Sequence, residues 1–208
     1  SAVLANMAFV HGFVPHANNG VVPGGWSIGT EMAFYALFPL LMGLYERIPP
    51  SQRGLGMLKL CVLALAFNLI EQAFTFPAMD LRITNNSFAY FNLVNQLPVF
   101  LLGMAMYAQA EGAQASDAPP AVPRRHGYLA LIALLFGFLL SAWLWRSTLP
   151  IAFALVPTLS GLAFCGLLFL LRSHNCAWPW MVSIGQHSYS MYIVHIVFAW
   201  HGARWLQG

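Results

Sequence analysis

Residues 127–145 read Gly127-Tyr-Leu-Ala-Leu-Ile-Ala-Leu-Leu-Phe-Gly-Phe-Leu-Leu-Ser-Ala-Trp-Leu-Trp145, nineteen residues without one charge. A run of about 20 apolar residues is long enough, as a helix, to cross the hydrocarbon of a bilayer. A helix is required because lipid offers no partner to an unpaired backbone amide. Similar runs lie at about 27–45, 57–76, 150–171 and 181–201, with a shorter or partly re-entrant helix at about 96–110. Residues 1–15 are apolar but too short to span, and read as the last turns of a helix. The expected fold is therefore all-α, a polytopic transmembrane helix bundle of about six spanning helices plus an N-terminal partial helix. Composition agrees. The chain of 208 residues is 59% hydrophobic and 7% charged, with mean hydropathy +0.67, whereas a soluble domain carries about 25% charged residues.

The segments between the runs have loop chemistry. Residues 16–25 are rich in Asn, Gly and Pro, residues 46–56 hold Pro49-Pro50, and residues 77–95 are polar and Asn-rich, with Asp80 and Arg82. Residues 111–126 read as a flexible linker of Ala and Pro. No soluble domain and no repeat is visible. Alternating spans put Arg47, Arg53, Lys59, Arg124, Arg125 and Arg172 on one side, against Arg82, Arg146 and Arg204 on the other. The richer side is expected to be cytoplasmic, which turns the loop before Trp26 outward. Trp143, Trp145, Trp178, Trp180 and Trp205 sit near expected helix ends, where an aromatic belt forms.

Charge and cysteine usage exclude other classes. A net charge of +3 with no Lys/Arg run beyond Arg124-Arg125 offers no nucleic-acid footprint. Cys61, Cys165 and Cys176 have neither zinc spacing nor an even count, so neither a metal site nor a disulfide framework is expected.

Two polar constellations interrupt the apolar runs. Pro23-Gly24-Gly25 breaks the chain before a helix, with Ser27 placed as its N-cap. Ser27, Glu31 and Tyr35 recur at i, i+4 and i+8 and share one face, with Trp26 at its entry. A carboxylate in a spanning segment is costly, faces the bundle interior, and by default marks function. A blander reading also stands: Glu31 lies one turn into the helix, where the dipole favours an acid. In the last run, Ser188, Tyr192 and His195 share one face, with Tyr189 beside them. Such residues also hydrogen-bond neighbouring helices for packing alone. Asn68, Glu71 and Gln72 cluster near a helix end and read as interfacial, while His126 and His174 lie in loops.

The stretch Trp26-Ser27-Ile28-Gly29-Thr30-Glu31, followed by Phe34-Tyr35 and Phe38-Pro39, closely resembles a motif of the acyltransferase family 3 membrane proteins. That motif reads Trp-Ser-Leu-x-x-Glu-x-x-Phe-Tyr-x-x-x-Pro, and Ile28 replaces the common Leu. Asn6, His11-Gly-Phe and Pro23-Gly24-Gly25 resemble its lead-in. Gly185-x-x-Ser-Tyr-Ser-x-Tyr-x-x-His195 resembles the family's closing motif, and Gln96-Leu-Pro-Val-Phe-Leu-Leu-Gly103 echoes one of its helix starts.

The resemblance implies that residues 1–208 correspond to the C-terminal two-thirds of one membrane acyltransferase domain, with the N-terminal helices missing. Those helices carry the family's usual catalytic His and an Arg pair linked to the acyl donor. No residue here takes either role, His11 included, and this stretch alone is expected to be inactive. The implied activity is transfer of an acyl group, most commonly acetyl, from acyl-CoA as co-substrate to a hydroxyl of a carbohydrate or cell-envelope glycan. No bound cofactor, metal or nucleic acid is implied. The implied location is the bacterial inner membrane. Glu31 is then a supporting residue and not the base, and Trp26, Ser27, Tyr35, Ser188, Tyr189, Tyr192 and His195 are substrate-binding candidates. Two alternatives remain: a proton-coupled transporter or exporter using Glu31 and His195, and an assembly or scaffold subunit.

Overall fold

The computed structural model describes residues 2–14, 17, 25–75, 87–114, 124–149, 151–173, 179–180, 182–187 and 205. Most of these residues are helical, with no strand among them. The elements are α1 (Ala2–Met7), a 3-10 turn (His11–Phe13), α2 (Trp26–Arg47), a second 3-10 turn (Pro50–Gln52), α3 (Arg53–Thr75), α4 (Ser87–Phe91), α5 (Leu93–Gln114), α6 (Arg124–Trp145) and α7 (Ala152–Ser173). Five of these regions are long and apolar enough to cross a membrane: Trp26–Arg47, Pro50–Phe74, Phe88–Gly112, Gly127–Trp145 and Ala152–Leu171. The sixth expected span, 181–201, lies mostly outside the described residues.

The chain divides into two compact units, Ser1–Leu170 and Leu171–Gly208. In the second, residues 182–187 form a helical stretch, and His187 Nδ1 lies 2.8 Å from the Ser183 carbonyl one turn earlier. The packing below belongs to the first unit.

Its centre is the pairing of α3 with α5. Met57 and Cys61 meet Leu101, Met104, Ala105 and Ala108, with Tyr45 of α2 closing the cluster. The Cys61 thiol donates to the Pro98 carbonyl at 3.4 Å. Large apolar side chains instead point away from the bundle, among them Leu63, Phe74, Ile132 and Leu139. On spanning helices such exposed apolar surface is where lipid sits.

Small residues set the α6–α7 approach. A Cβ on Gly166 would stand 2.7 Å from the Ala130 carbonyl oxygen, and one on Gly137 2.9 Å from that of Leu159. Bare backbone at both positions lets the helices touch, as small residues do in membranes. The Ser141 hydroxyl lies 3.3 Å from the Val156 carbonyl and receives the Ser160 hydroxyl at 3.2 Å.

Three expectations are corrected. The first span begins at Trp26 with Gly25 as its N-cap and no side-chain capping bond, so Ser27 is inside the helix rather than its cap. Gly25 already has helical torsions (φ −65°, ψ −17°), which carries the helix past the serine. Residues 77–95 are not loop throughout, because α4 and the start of α5 occupy 87–95. The third span is a full 22-residue helix, with Pro98 accommodated inside it. Its early start has a local cause: the Asn92 side-chain oxygen accepts the Asn95 N–H at 2.9 Å, an N-cap bond that closes the first turn of α5.

Candidate functional site

The entry turn of α2 meets the α4–α5 junction at one end of the first unit. Trp26 stacks on Phe91 with ring centroids 4.0 Å apart and planes 15° off parallel. Tyr90 meets Phe91 and Trp145 edge-on at 5.1 and 5.2 Å, which extends the aromatic row to α6. The Thr30 hydroxyl lies 3.0 Å from the Trp26 carbonyl and 2.9 Å from that of Phe91, so its single proton ties α2 to α4 or back to its own turn. One indole face of Trp26 is thus taken by Phe91.

A polarised ladder of carboxamides lies beside this row. The Asn95 amide nitrogen donates to the Tyr90 carbonyl at 2.7 Å, which fixes which way Asn95 points. Its oxygen then receives Asn68 at 2.5 Å and Gln72 at 3.4 Å, and Gln72 also donates to the Asn68 oxygen at 3.0 Å. Every amide N–H₂ in the ladder is committed, so it ends on an acceptor. Among the described residues Gln72 Oε1 is buried without a partner, as is Glu71 Oε2. Asn68 and Gln72 are buried rather than interfacial as expected, because α3 and α5 pack along that stretch and α5 supplies the partners.

Behind the entry turn lies His11, 3% exposed. Its Nε2 is 2.8 Å from the Gly25 carbonyl, and its ring lies over Gly29. Nδ1 is buried with no partner among the described residues.

The sequence candidates separate on this frame. The packed face of α2 carries Gly29, Thr30, Ala33, Phe34 and Tyr45. Glu31 and Tyr35 lie on the opposite, exposed face, Tyr35 at 59%. The expectation that Glu31 turns into the bundle does not hold within this unit. The small and aromatic stripe of α2 packs on α4 and α5, which turns Glu31 and Tyr35 to the other side of the helix. Trp26 and Ser27 are half-buried at the entry turn. Ser188, Tyr189, Tyr192 and His195 lie outside the described residues. Among the described residues no group of three or more His, Cys, Asp or Glu could hold a metal ion.

Sequence reading passed over Thr30, Phe91, Asn92, Asn95 and the contact of His11. The available signal was Asn92-x-x-Asn95, a capping spacing inside a stretch read as loop. It also passed over a polar clamp at the other end of the unit. The Tyr45 hydroxyl donates to Glu111 at 2.6 Å, while Arg53 Nη1 reaches both Glu111 oxygens at 3.1 and 3.0 Å. The Arg53 guanidinium also lies 4.8 Å from the Tyr45 ring centroid. The clamp ties the end of α2 to the start of α3 and the end of α5. Between it and the entry turn, an open groove of about 450 Å³ runs along α2 and α5, lined by Phe34, Phe38, Met42, Phe100 and Tyr107 among others. Its lining is mostly apolar, which suits a hydrocarbon.

The sequence model of a family described as an acyltransferase domain matches residues 2–207. No curated protein and no solved structure matches the chain.

Proposed function

The chain belongs to the acyltransferase family that this match defines, and from that premise we propose that it moves an acyl group, acetyl in the simplest case, from acyl-CoA to a hydroxyl of a carbohydrate or cell-envelope acceptor. The single observation that carries the reading is the family match over residues 2–207. The entry turn of α2, with the Trp26–Tyr35 motif on it, is consistent with it. In this proposal residues 1–208 form the C-terminal two-thirds of the catalytic domain and are inactive alone. The base and the groups that bind the acyl donor come from upstream chain, and the enzyme sits in a bacterial inner membrane.

Acyl transfer to a hydroxyl needs a base to take the proton and donors to steady the oxyanion. Glu31 and Tyr35, on the exposed face of α2, are proposed to line the cavity on that side. There Glu31 orients the base or the acceptor hydroxyl, and Tyr35 donates a hydrogen bond. The free side of Trp26 is proposed to stack on the acceptor. Ser27, Ser188, Tyr189, Tyr192 and His195 complete the proposed binding set.

The test is Glu31→Gln in the protein expressed with its upstream reading frame. Radiolabelled acetyl transfer from acetyl-CoA into membrane glycan is measured against protein abundance. The expected result is a loss on the order of 100-fold at unchanged abundance, the scale of a removed orienting or acid–base contact. Full transfer at equal abundance would remove Glu31 from the mechanism.

A further inference from the structure

We propose that His11 is a positioning residue, which holds the entry turn of α2 and thereby sets where Trp26, Ser27 and Glu31 point. The inference rests on the acyltransferase reading only for its activity readout. The contacts themselves are independent of it.

Gly25 is the N-cap of α2 and is buried, and its carbonyl serves two donors: the Gly29 N–H at 3.3 Å and His11 Nε2 at 2.8 Å. A carbonyl only accepts, so Nε2 carries the proton and the imidazole tautomer is fixed. The ring also occupies the place a side chain would take on Gly29. A Cβ there would stand 2.6 Å from Nε2, 2.9 Å from Cε1 and 3.0 Å from Cδ2. Gly12 deepens the same contact, since its own Cβ would stand 3.4 Å from the Gly29 carbonyl carbon. The His11–Phe13 turn therefore lies backbone to backbone against the first turn of α2, with imidazole as the spacer.

Packing alone is a poor account of this histidine. With Nε2 protonated, Nδ1 is a lone pair, and it is buried without a partner among the described residues. An unmade hydrogen bond in a buried site costs stability. A leucine or methionine would fill the space without that cost. What neither can do is donate to the Gly25 carbonyl, the atom that fixes the helix start one residue before Trp26.

The experiment uses amide side chains that reproduce one ring nitrogen at a time. Glutamine places its N–H₂ near Nε2, and asparagine places its polar group near Nδ1. His11→Gln, His11→Asn and His11→Ala are made in the protein with its upstream reading frame. Two quantities are read on detergent-purified protein matched for thermal midpoint. One is the emission of Trp26 alone, with every other tryptophan of that protein replaced by Phe, the other six of residues 1–208 included. The other is kcat and KM for acetyl transfer from acetyl-CoA.

The Asn and Ala variants are expected to shift the Trp26 emission and lower kcat on the order of 100-fold, as misplacement by about 1 Å can. The Gln variant is expected to keep the emission and to hold kcat within about threefold. If Gln fails as Asn does, or if Asn rescues and Gln does not, the assignment to the Nε2–Gly25 contact is overturned. Unchanged emission in all three overturns it as well. A wild-type protein that transfers no acetyl group defeats the activity reading alone, and the Trp26 emission still decides His11.

Discussion

Asn92 separates two helices by one residue and serves both. Its oxygen accepts the Asn95 N–H, and its nitrogen donates to the Phe88 and Ala89 carbonyls at 3.2 and 3.0 Å. Asn92→Ala removes an N-cap, typically about 1 kcal/mol, and strips those carbonyls of a donor. A loss of about 1–2 kcal/mol is expected in a denaturant titration in micelles, and Asn92→Asp, which keeps the capping oxygen but loses the donor to those carbonyls, should also destabilise. Phe9 shows the opposite relation between residue and place. It takes a left-handed conformation (φ 57°) where α1 ends, while the Val10 N–H reaches back to Ala5 and that of Phe9 to Asn6. This pair of bonds ends a helix on glycine far more readily than on phenylalanine, so the end of α1 left no mark in the sequence. The site was legible in the same partial way. The Trp26 motif marked the turn, but its side-chain spacing could not say which face of α2 packs. Spacing groups Ser27 with Glu31 and Tyr35, and the choice between that face and the Gly29–Ala33 face is made by the partner helices.

At the level of elements, four of the five spans among the described residues were legible at full length, and the third only as a shorter helix, because apolar length is a property of the sequence itself. The start of α5 was not, because polar residues read as solvated until a neighbouring helix is known to satisfy them. Asn68 and Asn95 are 27 residues apart and meet only because α3 lies along α5. The same dependence on partners applies to glycines, and it divides them. Gly166 touches the Ala130 carbonyl across the α6–α7 contact, while a Cβ on Gly103 would meet nothing within 4 Å. Gly166→Ala forces the helices apart and should cost about 1–3 kcal/mol. Gly103→Ala should be neutral or stabilising by a few tenths, since alanine has the higher helix propensity. Thermal midpoints of the two variants in one detergent test the pair together, and equal midpoints would refute the close α6–α7 approach.

At the scale of the molecule, the five spanning helices among the described residues, joined end to end, fix an alternation. The α2–α3 connection and the end of α5 fall on one side of the membrane, and the α6–α7 connection on the other. The Tyr45–Arg53–Glu111 clamp is consistent with this, since it gathers the end of α2, the start of α3 and the end of α5 at a single level. Arg53 and Glu111 near helix ends can reach the headgroup region, where a charge costs far less than at mid-bilayer. Basic residues favour the cytoplasmic side, so the clamp side is proposed to be cytoplasmic and the Trp26 entry turn outward. Single cysteines test both statements in a background with Cys61, Cys165 and Cys176 replaced by Ala. Ser51→Cys, Gly112→Cys and Thr148→Cys all lie at exposed positions. With a membrane-impermeant maleimide on intact cells, Thr148→Cys should label, while Ser51→Cys and Gly112→Cys should label only after permeabilisation. Ser51 and Gly112 on opposite sides would break the alternation. The two together on the outside, with Thr148 inside, would keep the bundle and invert it, placing the entry turn of α2 and its Trp26 motif in the cytoplasm.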